Sequence, residues 1–201
     1  MDCGILHSSL LKMGWCAVRL FEETLDQRVI YQGKILTLRQ DTVRLENGRT
    51  ASREVVEHPG GVCILPLEDD GTVYTVRQFR YPFGRVVEEL PAGKLDGSEE
   101  PRAAAERELS EEIGMQAGEM IYLGELLMSP GFCDEVLHMY LAKELCHGAQ
   151  HPDEDEFLEV ERIPFPVLIN RVMAGELTDA KTVATVLKAK EYLKDGEGGV
   201  K

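Results

Sequence analysis

The spacing of apolar and polar positions along the chain predicts its first structural elements. Between residues 34 and 79, apolar and polar residues alternate in short stretches interrupted by Asn47-Gly48 and Asp70-Gly71. Such stretches are typical of strands, and both dipeptides suit type I′ turns, so the pattern predicts two successive β-hairpins. The four strands are expected at 34–46, 49–57, 61–67 and 72–79.

The next part of the chain combines strands with a helix. Pro101 suits the first turn of a helix, where its missing N–H is not needed, and Gly114 suits the left-handed position that ends one. Three alanines at 103–105 favour helix between these two residues, so a helix is predicted over 101–113. Further strands are expected at 86–90, 120–128, 135–145 and 157–162.

Toward the C-terminus the apolar positions take helical spacing, which predicts helices over 164–174 and 179–193. A mixed sheet with helices packed on its faces is an α/β/α sandwich of the α+β class, here preceded by a small N-terminal β element. Met1 and Met13 both remain candidates for the true start. We expect a partly disordered extension at 1–27, the β element at 28–57, the main domain at 58–195 and a disordered tail at 196–201.

Composition narrows the class of protein. With 201 residues, 43% hydrophobic and 29% charged, the chain can bury one substantial core. A formal net charge of −14 argues against nucleic acid or an anionic membrane as the main partner, because both need a basic surface. The five cysteines show no Cys-x-x-Cys pairing, and no apolar run approaches the length of a membrane span. We therefore expect a cytoplasmic protein with free thiols and no signal peptide.

Three carboxylates fall on one side of the predicted helix. At about 100° per residue, Glu108, Glu111 and Glu112 lie within an arc of roughly 100°, beside an apolar stripe that can pack on a sheet. Arg107 precedes Glu111 by four residues and can pair with it. Carboxylate oxygens suit Mg²⁺ or Mn²⁺, although a solvated acidic helix face would show the same three residues.

The surrounding residues resemble a known signature. From Gly93 to Met115 the chain reads Gly, five residues, Glu99, seven residues, then Arg-Glu-Leu-x-Glu-Glu-x-Gly-apolar. This stretch resembles the Nudix hydrolase signature at every specified position. A solvated face would not require glycines at fixed offsets, so the metal-binding interpretation is preferred. The resemblance implies that Glu108, Glu111 and Glu112 are catalytic residues and ligands of Mg²⁺, with Mn²⁺ as an alternative.

A second feature of the sequence, the position of a proline after the signature, resembles one branch of that family. Pro130 follows Met115 by fifteen residues within Ser129-Pro130-Gly131-Phe132, and residues from about 29 to 193 resemble the ADP-ribose pyrophosphatases. The implied reaction is hydrolysis of ADP-ribose to AMP and ribose 5-phosphate. Another nucleoside-diphosphate-sugar hydrolase, such as one acting on GDP-mannose, stays open, as does a nucleotide-binding module without catalysis. An ordinary Pro-Gly turn would also explain the loop.

The same resemblance implies roles for further residues. The carbonyl of Ala92 would be a metal ligand, and Glu156 would orient or deprotonate the attacking water, with Glu154 as its competitor. The five histidines are interpreted as structural or surface residues. The implied substrate contacts are Arg53, Arg80, Glu89, Gly131 and Glu135.

The resemblance also implies an assembly. Members of this branch form homodimers in which N-terminal strands swap and help to build the partner's adenosine site. Since Arg53 lies in the N-terminal β element, we expect the same arrangement here. The implied partner is a small nucleoside-diphosphate sugar together with a second copy of the chain.

Overall fold

A computed structural model describes residues 20–151 and 157–197. The candidates Glu154 and Glu156, like Met1 and Met13, lie outside the described residues. The helices are α1 (Pro101–Ile113), α2 (Phe165–Met173) and α3 (Ala180–Glu197), and a short 3₁₀ turn spans Tyr81–Phe83. The strands are β1 (Glu23–Gln32), β2 (Thr37–Arg44), β3 (Thr50–Glu57), β4 (Gly61–Pro66), β5 (Thr72–Arg80), β6 (Arg85–Glu89), β7 (Ala92–Lys94), β8 (Met115–Leu127), β9 (Val136–His147) and β10 (Leu158–Pro164).

Strand β4 lies at the centre of the main domain, and its alternation decides which layer each side chain joins. It pairs with β9 in parallel and with β7 in antiparallel orientation, within a four-stranded sheet of order β7-β4-β9-β8. Val62 and Ile64 pack with residues of α1, whereas Cys63 and Leu65 pack with residues of α2 and α3. Helices therefore cover both faces of a mixed sheet, which confirms the predicted α/β/α sandwich.

Two smaller sheets complete the fold. Strands β10, β5 and β6 pair in that order, all antiparallel. Strands β1, β2 and β3 form the N-terminal antiparallel sheet. Strand β1 begins at Glu23, five residues before the start that we expected for this element. Its residues are exposed throughout, so burial imposes no alternation that the sequence could have revealed.

The predicted turn type is wrong at both hairpins. Gly48 and Gly71 have φ of 82° and 83°, but among the described residues Glu144 alone is a non-glycine with positive φ. A type I′ turn needs positive φ at both central residues, so these loops are type I turns followed by a left-handed glycine. The side-chain oxygens of Asn47 and Asp70 each accept a hydrogen bond from a backbone N–H two residues later. That local bond stabilises the observed conformation.

Helix α1 has the bounds that the sequence predicts. Ala105, Leu109 and Ile113 form its buried stripe, and Gly114 ends it with φ of 66°. The helix packs against β4, β7 and β8, so its acidic side stands next to β7. Within the described ranges, no helix combines the length and apolar character that crossing a membrane requires.

Candidate active site

Three glutamates of α1, Glu108, Glu111 and Glu112, line a pocket of about 430 Å³. Glu112 is 1% exposed and Glu108 is 7% exposed, whereas Glu111 is partly exposed. Ala92 and Gly93 of β7 line the same pocket. The solvated-face alternative is therefore wrong for Glu108 and Glu112, because both carboxylates are buried.

Strand β7 holds two of these carboxylates in place. The backbone N–H of Ala92 donates to Oε2 of Glu112 at 3.1 Å. At Gly93, an added Cβ would overlap the carboxylate of Glu108, so this carboxylate can lie against the strand only because residue 93 is a glycine. The first glycine of the signature thus has a steric role in the pocket.

Arg107 donates hydrogen bonds to three carboxylates, two on the helix and one that precedes it. Its Nη1 donates to Glu108 Oε1 and Glu111 Oε2, both at 2.8 Å, which agrees with the predicted pairing to Glu111. Its Nε and Nη2 donate to the two oxygens of Glu99 at 3.1 and 2.9 Å. These bonds hold the pKa of Arg107 above and that of Glu99 below their ordinary values. Glu99 therefore anchors the arginine that orients the carboxylates.

The donors suit a hard divalent cation. Within the part of the chain that the structure describes, no three His, Cys, Asp or Glu side chains already form a metal-binding group, and Arg107 donates hydrogen bonds to Glu108 and Glu111. The oxygens of Glu108, Glu111 and Glu112 nevertheless lie along one pocket and match the ligand type of Mg²⁺. Charged side chains in the lining are Asp96, Glu108, Glu111, Glu112, Glu135 and Asp179 against Arg80, Lys94, Arg107 and Lys181. Carboxylates exceed cations, so an anionic ligand here needs added positive charge.

A second charged cluster lies between this pocket and an adjoining cavity of about 440 Å³, since Arg80, Asp179 and Lys181 line both. Glu89 is 2% exposed and accepts two bonds of 2.7 Å from Nε and Nη2 of Arg80. Lys181 of α3 donates to the same carboxylate, and its Nζ also lies 2.9 Å from Oδ1 of Asp179. The paired cations hold the pKa of Glu89 below its ordinary value despite its burial. The pairing holds the Glu89 carboxylate against Arg80 and Lys181, the two cations that line the pocket.

Sequence reasoning missed Lys181 and Asp179. Both line the pocket, yet they lie about 90 residues beyond Glu89 in the chain, and no local spacing connects them with the acidic helix. His58 also lines the pocket, where its Nδ1 accepts a bond of 3.1 Å from the N–H of Gly60. That bond gives His58 a structural role at the pocket and places the ring hydrogen on Nε2 when it is neutral.

The predicted substrate contacts fall into two groups. Arg80 and Glu135 line the pocket of the acidic helix, and Glu89 lines the adjoining cavity beside Arg80. Arg53 and Gly131 instead border a separate cavity of about 420 Å³ beside Pro130. Arg53 is bound there by both oxygens of Glu22. One chain therefore does not bring all five residues together.

Residues 57–185 match the model of the NUDIX domain, and residues 22–56 match that of the nucleoside diphosphate sugar hydrolase N-terminal domain. A Bacillus subtilis protein named ADP-ribose pyrophosphatase is 40% identical over 178 residues, which cover 87% of this chain and 96% of that protein. A Salmonella typhimurium protein named GDP-mannose pyrophosphatase is 34% identical over 177 residues, covering 80% and 91%.

A solved structure agrees with the fold. The crystal structure of an ADP compounds hydrolase superposes with a TM-score of 0.78 and covers 89% of this chain and 97% of its own. The sequences are 23% identical, so this likeness concerns the fold.

Proposed function

Since the chain belongs to the NUDIX hydrolase family, we propose that it hydrolyses the pyrophosphate bond of ADP-ribose, giving AMP and ribose 5-phosphate with Mg²⁺ as cofactor. The observation that supports this most directly is the placement of Glu108, Glu111 and Glu112 along one pocket beside β7. The similarity to an ADP-ribose pyrophosphatase over most of both chains supports the substrate.

Four residues would hold the metal: Glu108, Glu111 and Glu112 through their carboxylates, and Ala92 through its carbonyl. Bound there, Mg²⁺ would offset the charge of the diphosphate and lower the pKa of a bound water. The chain supplies the geometry for this. Gly93 allows the Glu108 carboxylate to reach the pocket, and the Ala92 N–H fixes one oxygen of Glu112. Arg107 reduces repulsion among the carboxylates until they engage the cation.

The remaining roles follow the chemistry of the side chains. Arg80 would bind the nucleotide half, since a guanidinium donates in a fork to phosphate and stacks on a base. Glu89 would orient Arg80, and Glu135, which lines the same pocket as Arg80, would contact the substrate. Glu156 is our candidate for the residue that activates water, with Glu154 as its competitor.

A homodimer would account for Arg53 and Gly131. Both lie outside the pocket of their own chain, so they could serve a site that two copies share. Strand β1 exposes apolar side chains that a partner would cover, among them Val29 at 58% and Tyr31 at 59% exposure. Light scattering coupled to gel filtration should give twice the chain mass, and a monomer would contradict this assembly.

We also infer a reducing, cytoplasmic location. Cys63, Cys133 and Cys146 are all free thiols in the structure. Free cysteines at three separate positions are typical of a compartment that keeps thiols reduced.

A substrate panel tests the activity. ADP-ribose, GDP-mannose and other nucleoside-diphosphate sugars are incubated with Mg²⁺ or Mn²⁺, and the products are separated by chromatography. We expect AMP and ribose 5-phosphate from ADP-ribose, and no turnover with chelator. Preference for GDP-mannose would favour the second candidate, which the Salmonella relative supports. Binding without hydrolysis of any member would reject catalysis altogether.

A further inference from the structure

The first turn of α3 is attached to the end of β6 at two neighbouring residues. Thr182 is fully buried, and its Oγ1 accepts a bond of 2.8 Å from the backbone N–H of Leu90. Lys181, one residue earlier in α3, donates to Glu89, one residue before Leu90. Two adjacent contacts fix the direction of the Lys181 side chain relative to β6.

Asp179 caps the start of α3 and also contacts Lys181. Its Oδ2 accepts from the N–H and the Oγ1 of Thr182 at 3.0 and 2.6 Å, which caps the start of α3. Its Oδ1 lies 2.9 Å from Nζ of Lys181. One ammonium group is therefore shared by Asp179 and Glu89.

The charges of the four side chains balance. Arg80 and Lys181 carry two positive charges, and Glu89 and Asp179 carry two negative ones. Glu89 uses one oxygen for Nε of Arg80 and the other for both Nη2 of Arg80 and Nζ of Lys181. Without Lys181, two carboxylates would face the single guanidinium, and Glu89 and Asp179 would hold Arg80 more tightly and turn it away from a substrate phosphate.

We propose that Lys181 is a positioning residue that sets the direction of the Arg80 guanidinium through Glu89, and thereby sets the affinity for the nucleotide half of the substrate. This inference rests on the proposed function, in which Arg80 contacts that half. Because Lys181 acts through Arg80, replacing Lys181 should weaken substrate binding only while Arg80 is present.

A double-mutant cycle on binding tests this. The ligand is α,β-methylene-ADP-ribose, which resists hydrolysis, and its Kd is measured by titration calorimetry with Mg²⁺. Lys181→Met should raise Kd by about tenfold or more in the wild-type background and by less than about twofold in Arg80→Met. Lys194→Met, an exposed lysine of the same helix that pairs with Glu191, is the matched control and should leave Kd unchanged.

The outcomes are distinct. An equal rise of Kd in both backgrounds would show that Lys181 acts independently of Arg80 and would overturn the inference, as would an unchanged Kd in Lys181→Met. Thermal melts check folding, and Lys181→Gln replaces Lys181→Met under the same criterion if the latter does not fold. Wild-type protein that binds the analogue but does not hydrolyse ADP-ribose would sink the proposed function and leave the inference standing. Wild-type protein that binds no analogue would overturn both.

Discussion

Replacing Gly93 with alanine tests the steric fit between β7 and α1. The new methyl group would overlap the carboxylate of Glu108, which is the end of a flexible side chain. The backbone of Gly93 is not in the left-handed region, so alanine itself introduces no strain there. We expect the fold to survive while Glu108 rotates away and loses its 2.8 Å bond to Arg107.

The size of the effect follows from these changes. Overpacking a tight site costs about 1–3 kcal/mol of stability. Replacing glycine with alanine stabilises the protein by about 0.4–1 kcal/mol, because the unfolded chain loses conformational freedom. The net cost should be about 0–2.6 kcal/mol, or at most roughly 10 °C in Tm for a chain of this size. Activity should fall far more, by about 100-fold or more, because a displaced carboxylate no longer meets the cation correctly.

The assay combines a thermal melt with ADP-ribose hydrolysis at saturating Mg²⁺. Gly148→Ala is the control, since a Cβ at Gly148 meets one atom, the carbonyl oxygen of Gly114 at 3.3 Å. It should keep both Tm and activity within a small margin of wild type. Near-normal turnover by Gly93→Ala would refute the claim that Glu108 must lie against this glycine, and global unfolding would show that the overlap is not relieved by Glu108.

Three further experiments test the metal site, the Glu99–Arg107 pair and a buried cysteine. Glu112→Gln removes the negative charge but keeps the side-chain shape, so kcat should fall by several orders of magnitude with little change in Tm. Near-normal turnover would contradict the role of Glu112. Because Arg107 holds the pKa of Glu99 below its ordinary value, their pairing stabilises the protein fully above pH about 4.5 and is lost as pH falls through the lower folded pKa. The difference in free energy of unfolding between wild type and Arg107→Met, measured in urea, should therefore narrow below pH 4.5. A difference that does not change with pH would show that the Glu99–Arg107 pairing does not stabilise the protein in this way. Burial raises the pKa of Cys63 to about 12, so a disulfide reagent at pH 8 should label exposed Cys146 but label Cys63 only after unfolding.

Local patterns predicted the main elements well where one residue imposes a conformation. Pro101 and Gly114 gave the bounds of α1, and the helical spacing placed Glu108 and Glu112 on one side. The same reasoning failed for the hairpin turns, because Asn47 and Asp70 stabilise a negative φ through bonds that a dipeptide rule does not weigh. In each case the outcome depended on interactions within a few residues.

The sequence by itself determined the fold class, the acidic helix and the signature around it, because periodicity, caps and spacing act over short distances along the chain. Tertiary structure alone decided that Glu89, Arg80, Lys181 and Asp179 form one cluster, and that Arg53 lies outside the pocket of its own chain. These pairings join residues far apart in sequence, and they depend on the way β6 and α3 pack, which no local pattern encodes.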